Sequence, residues 1–261
     1  MKPLIKYIHF VGLDAPVVAM IWQMIWGNLL SSGLQWFHYV ILFTGTWAVY
    51  LGDRFLDNSK ESEGFAQQQR HDFAGYNRKL IIVLCLLAIS ICTVTSLLML
   101  RPKGAIGGVV FSLIVGAYLI GIHQRRWAQT ALGVKEAGVA VLFACGTAFF
   151  PLIWRTTLDI QTLMAFLLFV LLCFENCLFI TLWEERKHYP FVEWLICFIP
   201  LSISLVCAFL FPAHFLFILV GITAFCLWIT AKQIAPAKPL LARVLSDVVL
   251  LIPVLWVFTG N

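Results

Sequence analysis

The chain has 261 residues, of which 61% are hydrophobic and only 12% are charged. A soluble domain carries about 25% charged residues, so this composition excludes an ordinary soluble protein and predicts one that is embedded in a membrane. The net charge of +5 is explained by membrane topology and attraction to anionic lipid. No feature indicates a nucleic-acid partner.

Nine apolar segments follow one another along the chain. Each is about long enough to cross the hydrocarbon core of a bilayer, roughly 30 Å thick, as an α-helix. The segments are 14–31, 34–52, 79–100, 105–122, 131–153, 161–183, 190–211, 213–231 and 241–259. They use almost the whole chain, so the sequence predicts a single all-α membrane domain over residues 1–261.

Lys and Arg residues are concentrated on one side of this predicted topology. If the N-terminus is cytoplasmic, the outer loops hold only Arg101, Lys103 and Arg155. The positive-inside rule therefore predicts an N-terminus in the cytoplasm and a C-terminus on the outer side. The membrane expected is a bacterial inner membrane. The longest loop, 58–78, is polar and cytoplasmic, so we expect it to cap a site on that side.

Two acidic strings end the second and the sixth segments. Asp53 and Asp57 lie one helical turn apart on nearly the same face, and Tyr50 lies one turn earlier. Two carboxylates at this spacing can share Mg²⁺, which takes one or two carboxylates together with phosphate oxygens and water. Glu184 and Glu185 end the sixth segment on the same side of the membrane. Each string alone is explained by a solvated helix end, but the two together favour a shared Mg²⁺ site.

Polar residues also occur inside the apolar segments, where ionisable groups are costly and are functional candidates by default. They are Gln23, Lys135, Glu136, Glu175 and Asn176. An ion pair between Lys135 and Glu175 on adjacent helices is expected, either as part of a site or as a structural contact. Arg243 and Asp247 form another pair at i,i+4 spacing, for which helix stabilisation is the expected role.

Cations on the cytoplasmic side, together with aromatic rings, complete the set of candidates. Guanidinium groups bind phosphate oxygens through paired hydrogen bonds, and the candidates are Arg70, Arg78 and Arg126. Each of these is also explained as an ordinary positive-inside residue. Aromatic faces attract cations, and the candidates for such a contact are Tyr50, Trp22 and Phe174.

On these residues the chain resembles the UbiA superfamily of intramembrane prenyltransferases over most of its length. The string from Asp53 to Asp57 is similar to the second half of that family's first motif, Asn-Asp-x-x-Asp-x-x-x-Asp. The stretch from Asn176 to Glu185 lies where the family's second motif stands. The leading Asn-Asp of the first motif falls on Val49 and Tyr50.

Two further stretches contribute to the resemblance. Leu13-Asp14-Ala15-Pro16 is similar to the family's opening Arg-x-x-x-Pro region without the Arg, and His123-Gln124-Arg125-Arg126 is similar to its Lys-Arg stretch. The resemblance implies a bundle of about nine transmembrane helices around a central cavity that cytoplasmic loops cap. It implies transfer of a polyprenyl group from polyprenyl diphosphate to a hydrophobic acceptor, with an aromatic acceptor expected.

This hypothesis gives each candidate residue a role. The Mg²⁺ ligands are Asp53, Asp57, Glu184 and Glu185. The catalytic group is Asp53, Asp57, Lys135 and Asn176. The residues that contact the substrates are Tyr50, Arg70, Arg78, Arg126, Gln23 and Glu175.

Two other classes of function remain open. Because the first motif lacks its leading carboxylate, the cavity can be one that binds an isoprenoid or another lipid without turning it over. The intramembrane residues Lys135, Glu136 and Glu175 also suit a small-solute transporter. Against a transporter, the sequence has no pair of Gly- or Pro-broken helices in corresponding halves.

Overall fold

A computed structural model describes residues 11–57, 76–124, 133–153, 158–184 and 189–259. Every regular element in these ranges is helical, and none of them contains a strand. The elements are α1 (Asp14–Leu29), α2 (Trp36–Asp57), α3 (Arg78–Met99), α4 (Pro102–Gln124), α5 (Val134–Ile153), α6 (Ile160–Glu184), α7 (Pro190–Leu210), α8 (His214–Ile229), a π-helical turn (Thr230–Ile234), α9 (Pro239–Val249) and a 3₁₀ helix (Ile252–Thr259).

Seven helical stretches in the described part of the chain are long and apolar enough to cross a membrane, which indicates an integral membrane protein. They correspond to the third to ninth predicted segments. The first two predicted segments do not meet this standard. α1 has 16 residues, about 24 Å at 1.5 Å per residue, and α2 ends in the charged string from Asp53 to Asp57. The all-helical membrane class is confirmed, whereas the count of nine spans stays a prediction.

α3 and α4 expose most of their apolar side chains, including Leu97 and Leu113. In water a continuous apolar surface of this kind marks an interaction site or an aggregation hazard. Within a bilayer the acyl chains of lipid cover it at no cost. The exposed apolar surface therefore agrees with the membrane assignment.

The chain divides into two compact units. The first comprises Met1–Met20 and Gly33–Lys135, and the second comprises Ile21–Ser32 and Glu136–Asn261. The predicted single domain over the whole chain stays a prediction. The predicted cap, 58–78, also stays a prediction, because most of it lies outside the described residues.

In the first unit α2 and α3 pack side by side in antiparallel directions. The Cys92 thiol donates to the carbonyl of Ile41 at 3.6 Å, and Leu51 and Ile81 share a buried apolar cluster farther along. This register brings the C-terminal end of α2 to Arg78, the first residue of α3. The acidic string of α2 and a basic residue therefore meet at one end of the helix pair.

In the second unit α7 and α8 form an antiparallel hairpin. A Cβ atom placed on Gly221 would lie 2.5 Å from Ser204 Oγ, so the two helices approach closely at this point. Small residues permit such close packing between membrane helices. At the other end of the hairpin, Lys232 of the π-helical turn forms an ion pair with the buried carboxylate of Glu193.

The last predicted span, 241–259, is not one continuous α-helix. α9 ends at Val249 and a 3₁₀ helix follows after a short turn. Pro253 explains the interruption. It has no N–H group to donate to the carbonyl of Val249 four residues earlier, and its ring would clash with that carbonyl in an α-helix. Irregular backbone is tolerated at membrane depth only where the protein or a cavity surrounds it. Here the indole N–H of Trp22 donates to the carbonyl of Leu250 at 3.0 Å.

Candidate functional site

The first acidic string lies in the last turns of α2. The helix continues without a break to Asp57, so the backbone positions of Asp53 and Asp57 are one turn apart, as their spacing predicts. The side chain of Asp53 is half-buried, and that of Asp57 lies outside the described residues.

Two guanidinium groups lie beside this string. Arg54 Cζ is 5.3 Å from the ring centroid of Tyr50, and Arg78 Cζ is 5.0 Å from the ring centroid of Phe55. A guanidinium held over a ring by a cation–π contact presents its N–H groups at its edge, which is the geometry that binds phosphate oxygens. The structure therefore places Arg78 at the acidic end of α2. It adds Arg54, to which the sequence analysis gave no role.

The segment that precedes α1 packs onto the same end of α2. Gly12 has a φ of +73°, a conformation that favours glycine, and a Cβ atom there would lie 3.0 Å from Tyr50 Cδ1. Nearby, the indole N–H of Trp47 donates to the carbonyl of Val11 at 3.0 Å. These contacts hold the Tyr50 ring in place beneath Arg54. The Tyr50 ring thus forms a cation–π contact with the Arg54 guanidinium. The predicted contact of Tyr50 with a substrate stays a prediction.

In the second unit, Asn176 of α6 contacts Asp247 of α9. Asn176 Nδ2 donates to Asp247 Oδ1 at 3.4 Å, whereas Asn176 Oδ1 has no hydrogen-bond donor among the described residues. Asn176 lies eight residues from the end of α6 at Glu184, about 12 Å along the helix axis. The sequence analysis missed this contact because Asp247 already had a local explanation in its i,i+4 pair with Arg243.

Glu175 and Gln23 are completely buried in the second unit. Within that unit's described residues, no partner reaches either carboxylate oxygen of Glu175 or either end of the Gln23 amide. Unpaired buried polar groups are costly, so each marks a place where a ligand, an ion or water would complete the structure. The two side chains lie at different depths. Trp22, beside Gln23, stacks on Phe169 at 3.7 Å between ring centroids, and Glu175 is six residues, about 9 Å, farther along α6.

Lys135 and Glu136 lie in the first turn of α5, because that helix begins at Val134 rather than at 131. Both are therefore closer to a helix end than the sequence predicts. Lys135 is exposed and belongs to the first unit, so its pairing with Glu175 stays a prediction. Glu136 is buried in the second unit and accepts a hydrogen bond from Thr181 Oγ1 at 2.8 Å.

Trp22 packs in the core of the second unit, and its predicted contact with a cation stays a prediction. It is almost completely buried, its ring stacks on Phe169, and its N–H group is bonded to a backbone carbonyl. Its neighbour Trp26 is bonded similarly, donating to Thr147 Oγ1 at 3.2 Å. Phe174 is half-buried and keeps its predicted role as a candidate.

Several predicted site residues lie outside the described part of the chain. They are Arg70, Arg126, Glu185 and the side chain of Glu184. Among the residues that are described, no three His, Cys, Asp or Glu side chains form a metal-binding group. Mg²⁺ that is bound with a diphosphate needs only one or two carboxylates from the protein. The spacing of Asp53 and Asp57 on α2 fits that requirement, and their sharing of one ion with the second string stays a prediction.

Comparisons of the chain with models of protein families, with curated proteins and with solved structures gave no match. Its function is therefore inferred from its own residues.

Proposed function

We propose that this protein is a UbiA-type intramembrane prenyltransferase, which transfers a polyprenyl group from polyprenyl diphosphate to a hydrophobic acceptor, with an aromatic acceptor expected. The observation that carries the proposal is the composition of the end of α2. There Asp53 and Asp57 lie one turn apart on α2. Beside them, the guanidinium groups of Arg54 and Arg78 form cation–π contacts with Tyr50 and Phe55 respectively. Carboxylates for Mg²⁺ and guanidinium groups for phosphate oxygens are the groups that a metal-bound diphosphate requires.

The acidic strings would hold the ion through Asp53, Asp57, Glu184 and Glu185. Mg²⁺, when bound, stabilises negative charge on the departing diphosphate. Arg54 and Arg78 would bind phosphate oxygens and stabilise the same charge as it develops. The carbon–oxygen bond to the prenyl group breaks with its electron pair going to the diphosphate. The acceptor then forms a bond to the prenyl carbon and loses a proton.

The remaining parts of the proposal follow from the resemblance and from the distribution of Lys and Arg. We propose nine spans around a central cavity open to the cytoplasmic leaflet, with the N-terminus inside and the C-terminus outside a bacterial inner membrane. α1 and α2 support this count because they are helices at the positions of the first two predicted spans. The further residues assigned to catalysis or substrate contact are Lys135, Asn176, Tyr50, Arg70, Arg126, Gln23 and Glu175.

A second candidate function is ion-coupled transport of a small solute. Discontinuous helices place backbone carbonyls and helix ends at the ion sites of many transporters. Two observations favour this class: the interruption of the last span after Val249, and the burial of Glu175 without a hydrogen-bond donor among the described residues. A third candidate, binding of an isoprenoid without turnover, is favoured by the absence of the first motif's leading carboxylate.

A transfer assay tests the first proposal. Purified protein in lipid nanodiscs is incubated with labelled geranylgeranyl diphosphate and a panel of phenolic acceptors, with and without Mg²⁺. We expect Mg²⁺-dependent transfer, and we expect Asp53→Asn to lower its rate by about 100-fold or more, as the loss of a group that stabilises the transition state does.

Asp159→Asn is the matched control for this assay. Asp159 accepts a hydrogen bond from the backbone N–H of Thr162 at 2.7 Å at the start of α6, and asparagine caps a helix equally well. This variant should transfer at the rate of the natural protein. An Asp53→Asn variant with unchanged transfer would show that the metal assignment is wrong. Binding of the diphosphate without transfer to any acceptor would favour the non-catalytic candidate.

A further inference from the structure

Glu175 places a carboxyl group in the interior of the second unit. It lies on α6, nine residues before the end of that helix at Glu184, which is about 14 Å along the helix axis. Its side chain is completely buried, and α6 is long and apolar enough to cross a membrane. A carboxylate at such a depth is costly unless a partner stabilises its charge.

None of the described residues supplies that partner. Neither carboxylate oxygen of Glu175 has a hydrogen-bond donor among them. The group that interacts with Glu175 electrostatically is the thiol of Cys197 on α7, and a thiol carries no positive charge. A neutral carboxyl group without a partner also has a cost, but this is the cost of burying a dipole rather than a charge. The surroundings of Glu175 therefore favour the protonated form.

The other titratable groups around α6 do not change this conclusion. Within the second unit, the helices that pack against α6 carry two basic residues, Arg243 and His214. Arg243 donates no hydrogen bond to Glu175. His214 begins α8 at the opposite end of α6, where the backbone N–H of Ala213 donates to Gln161. The remaining groups are acids and thiols: Glu136 and Cys145 of α5, Cys173 and Cys177 of α6, Glu193, Cys197 and Cys207 of α7, Cys226 of α8 and Asp247 of α9.

The space around Glu175 selects a proton over any larger ligand. A hard cation needs several oxygen ligands, whereas the neighbouring group is a thiol. A water molecule needs space of its own and two or more polar partners, and the Glu175 side chain has no surface that water reaches. A proton adds no volume and removes the charge of the carboxylate.

We propose that Glu175 is a proton-binding site, whose carboxyl group holds a proton at neutral pH while the helices of the second unit enclose it. Loss of this proton to water leaves a carboxylate without a partner, so it requires that water reach Glu175. The inference does not rest on the proposed function, under which Glu175 is a predicted substrate contact. Under the second candidate function, Glu175 would be the coupling site and the proton would be the coupling ion.

Infrared spectroscopy of the full chain in lipid nanodiscs tests the proposal. A protonated carboxyl group has a C=O stretching band that a carboxylate lacks, and a glutamic acid in water is ionised at neutral pH because its pKa there is about 4.3. We expect this band at neutral pH, and we expect its loss in Glu175→Gln, which replaces the neutral acid with a neutral amide of nearly the same shape.

Asp159→Asn is the matched control. Asp159 is exposed at the start of α6 and accepts a hydrogen bond from the backbone N–H of Thr162. An exposed aspartate is ionised at neutral pH, so this change should leave the protonated-carboxyl band as it was.

An isotope label keeps the test decisive if Glu175→Gln does not fold. Glutamate with a heavy carbon isotope in its side-chain carboxyl group should move the band of the natural protein to lower frequency, because the vibrating atom is heavier. Glu175→Asp, which keeps a carboxyl group on a shorter side chain, should shift the band rather than remove it. The proposal is overturned by the absence of the band at neutral pH, by a band that the label does not move, or by a folded Glu175→Gln protein that keeps it.

The outcomes separate this inference from the proposed function. A band that depends on Glu175, in a protein that transfers no prenyl group, would contradict the proposed function and leave the proton site standing. Mg²⁺-dependent prenyl transfer by a protein without the band would remove the proton site and leave the proposed function standing.

Discussion

Individual polar atoms in this protein are satisfied by a small number of specific contacts between helices. The Trp22 indole bonds the Leu250 carbonyl where the last span is interrupted, and the Cys92 thiol bonds the Ile41 carbonyl between α2 and α3. In hydrocarbon no water replaces a lost partner. Residues of this kind therefore act on stability. The Glu175 carboxylate and Asn176 Oδ1, by contrast, find no hydrogen-bond donor among the described residues.

Trp22→Phe tests the first of these contacts. The change keeps an aromatic ring against Phe169 but leaves the buried Leu250 carbonyl without its donor, so we expect a loss of about 2 kcal/mol in the free energy of unfolding. The measurement is helicity during unfolding in mixed dodecylsulfate and maltoside micelles. Trp36→Phe is the control, because Trp36 is 62% exposed and should change stability by less than about 0.5 kcal/mol. Equal effects of the two changes would contradict the account.

The candidate residues differ in how well the sequence could locate them. Arg78 lies beside Phe55 at the acidic end of α2, because it begins the helix that follows, and its predicted contact with diphosphate stays a prediction. The contacts between Asn176 and Asp247 and between Glu193 and Lys232 were not foreseen. They depend on how each helix is rotated about its axis, and a helix that is apolar all round carries little periodic signal to fix that rotation.

At the scale of whole helices, length and hydropathy were sufficient to locate the seven long apolar helices of the described residues. The predicted segments 161–183 and 190–211 correspond to Ile160–Glu184 and Pro190–Leu210, because apolar runs of about 20 residues are a strong signal. The interruption in 241–259 was missed. Pro253 is its only mark in the sequence, and proline is tolerated inside many membrane helices, as Pro200 is within α7.

Replacement by alanine should change the free energy of unfolding in opposite directions at two glycines, one in the tight contact between α7 and α8 and one in α4. Gly221→Ala places a methyl group 2.5 Å from Ser204 Oγ, and overpacking of this kind costs about 1–3 kcal/mol. A methyl group on Gly116 of α4 meets nothing within 4 Å, so Gly116→Ala should be neutral or stabilising by up to about 1 kcal/mol. The same micelle titration measures both. Destabilisation by Gly116→Ala with none by Gly221→Ala would contradict the packing described here.

At the scale of the whole molecule, the number of spans decides on which side of the membrane the first loop lies. If α1 and α2 both cross the membrane, Gln35 between them faces outward and Lys60 faces the cytoplasm. A membrane-impermeant maleimide should then label Gln35→Cys in intact cells, and should label Lys60→Cys only after permeabilisation. If neither cysteine is labelled in intact cells and both are labelled after permeabilisation, the first two helices do not cross the membrane and the number of spans is seven.

The proposed function requires that the protein hold a prenyl diphosphate through Mg²⁺ at the end of α2. The most direct measurement is binding of a non-hydrolysable geranylgeranyl diphosphate analogue to the purified protein in lipid nanodiscs, with and without Mg²⁺. We expect binding that requires Mg²⁺ and that is weakened at least about tenfold by Asp53→Asn and not by Asp159→Asn. A folded protein that binds no analogue in either condition, or that binds it equally without Mg²⁺ and without Asp53, would show that the proposed diphosphate site is wrong.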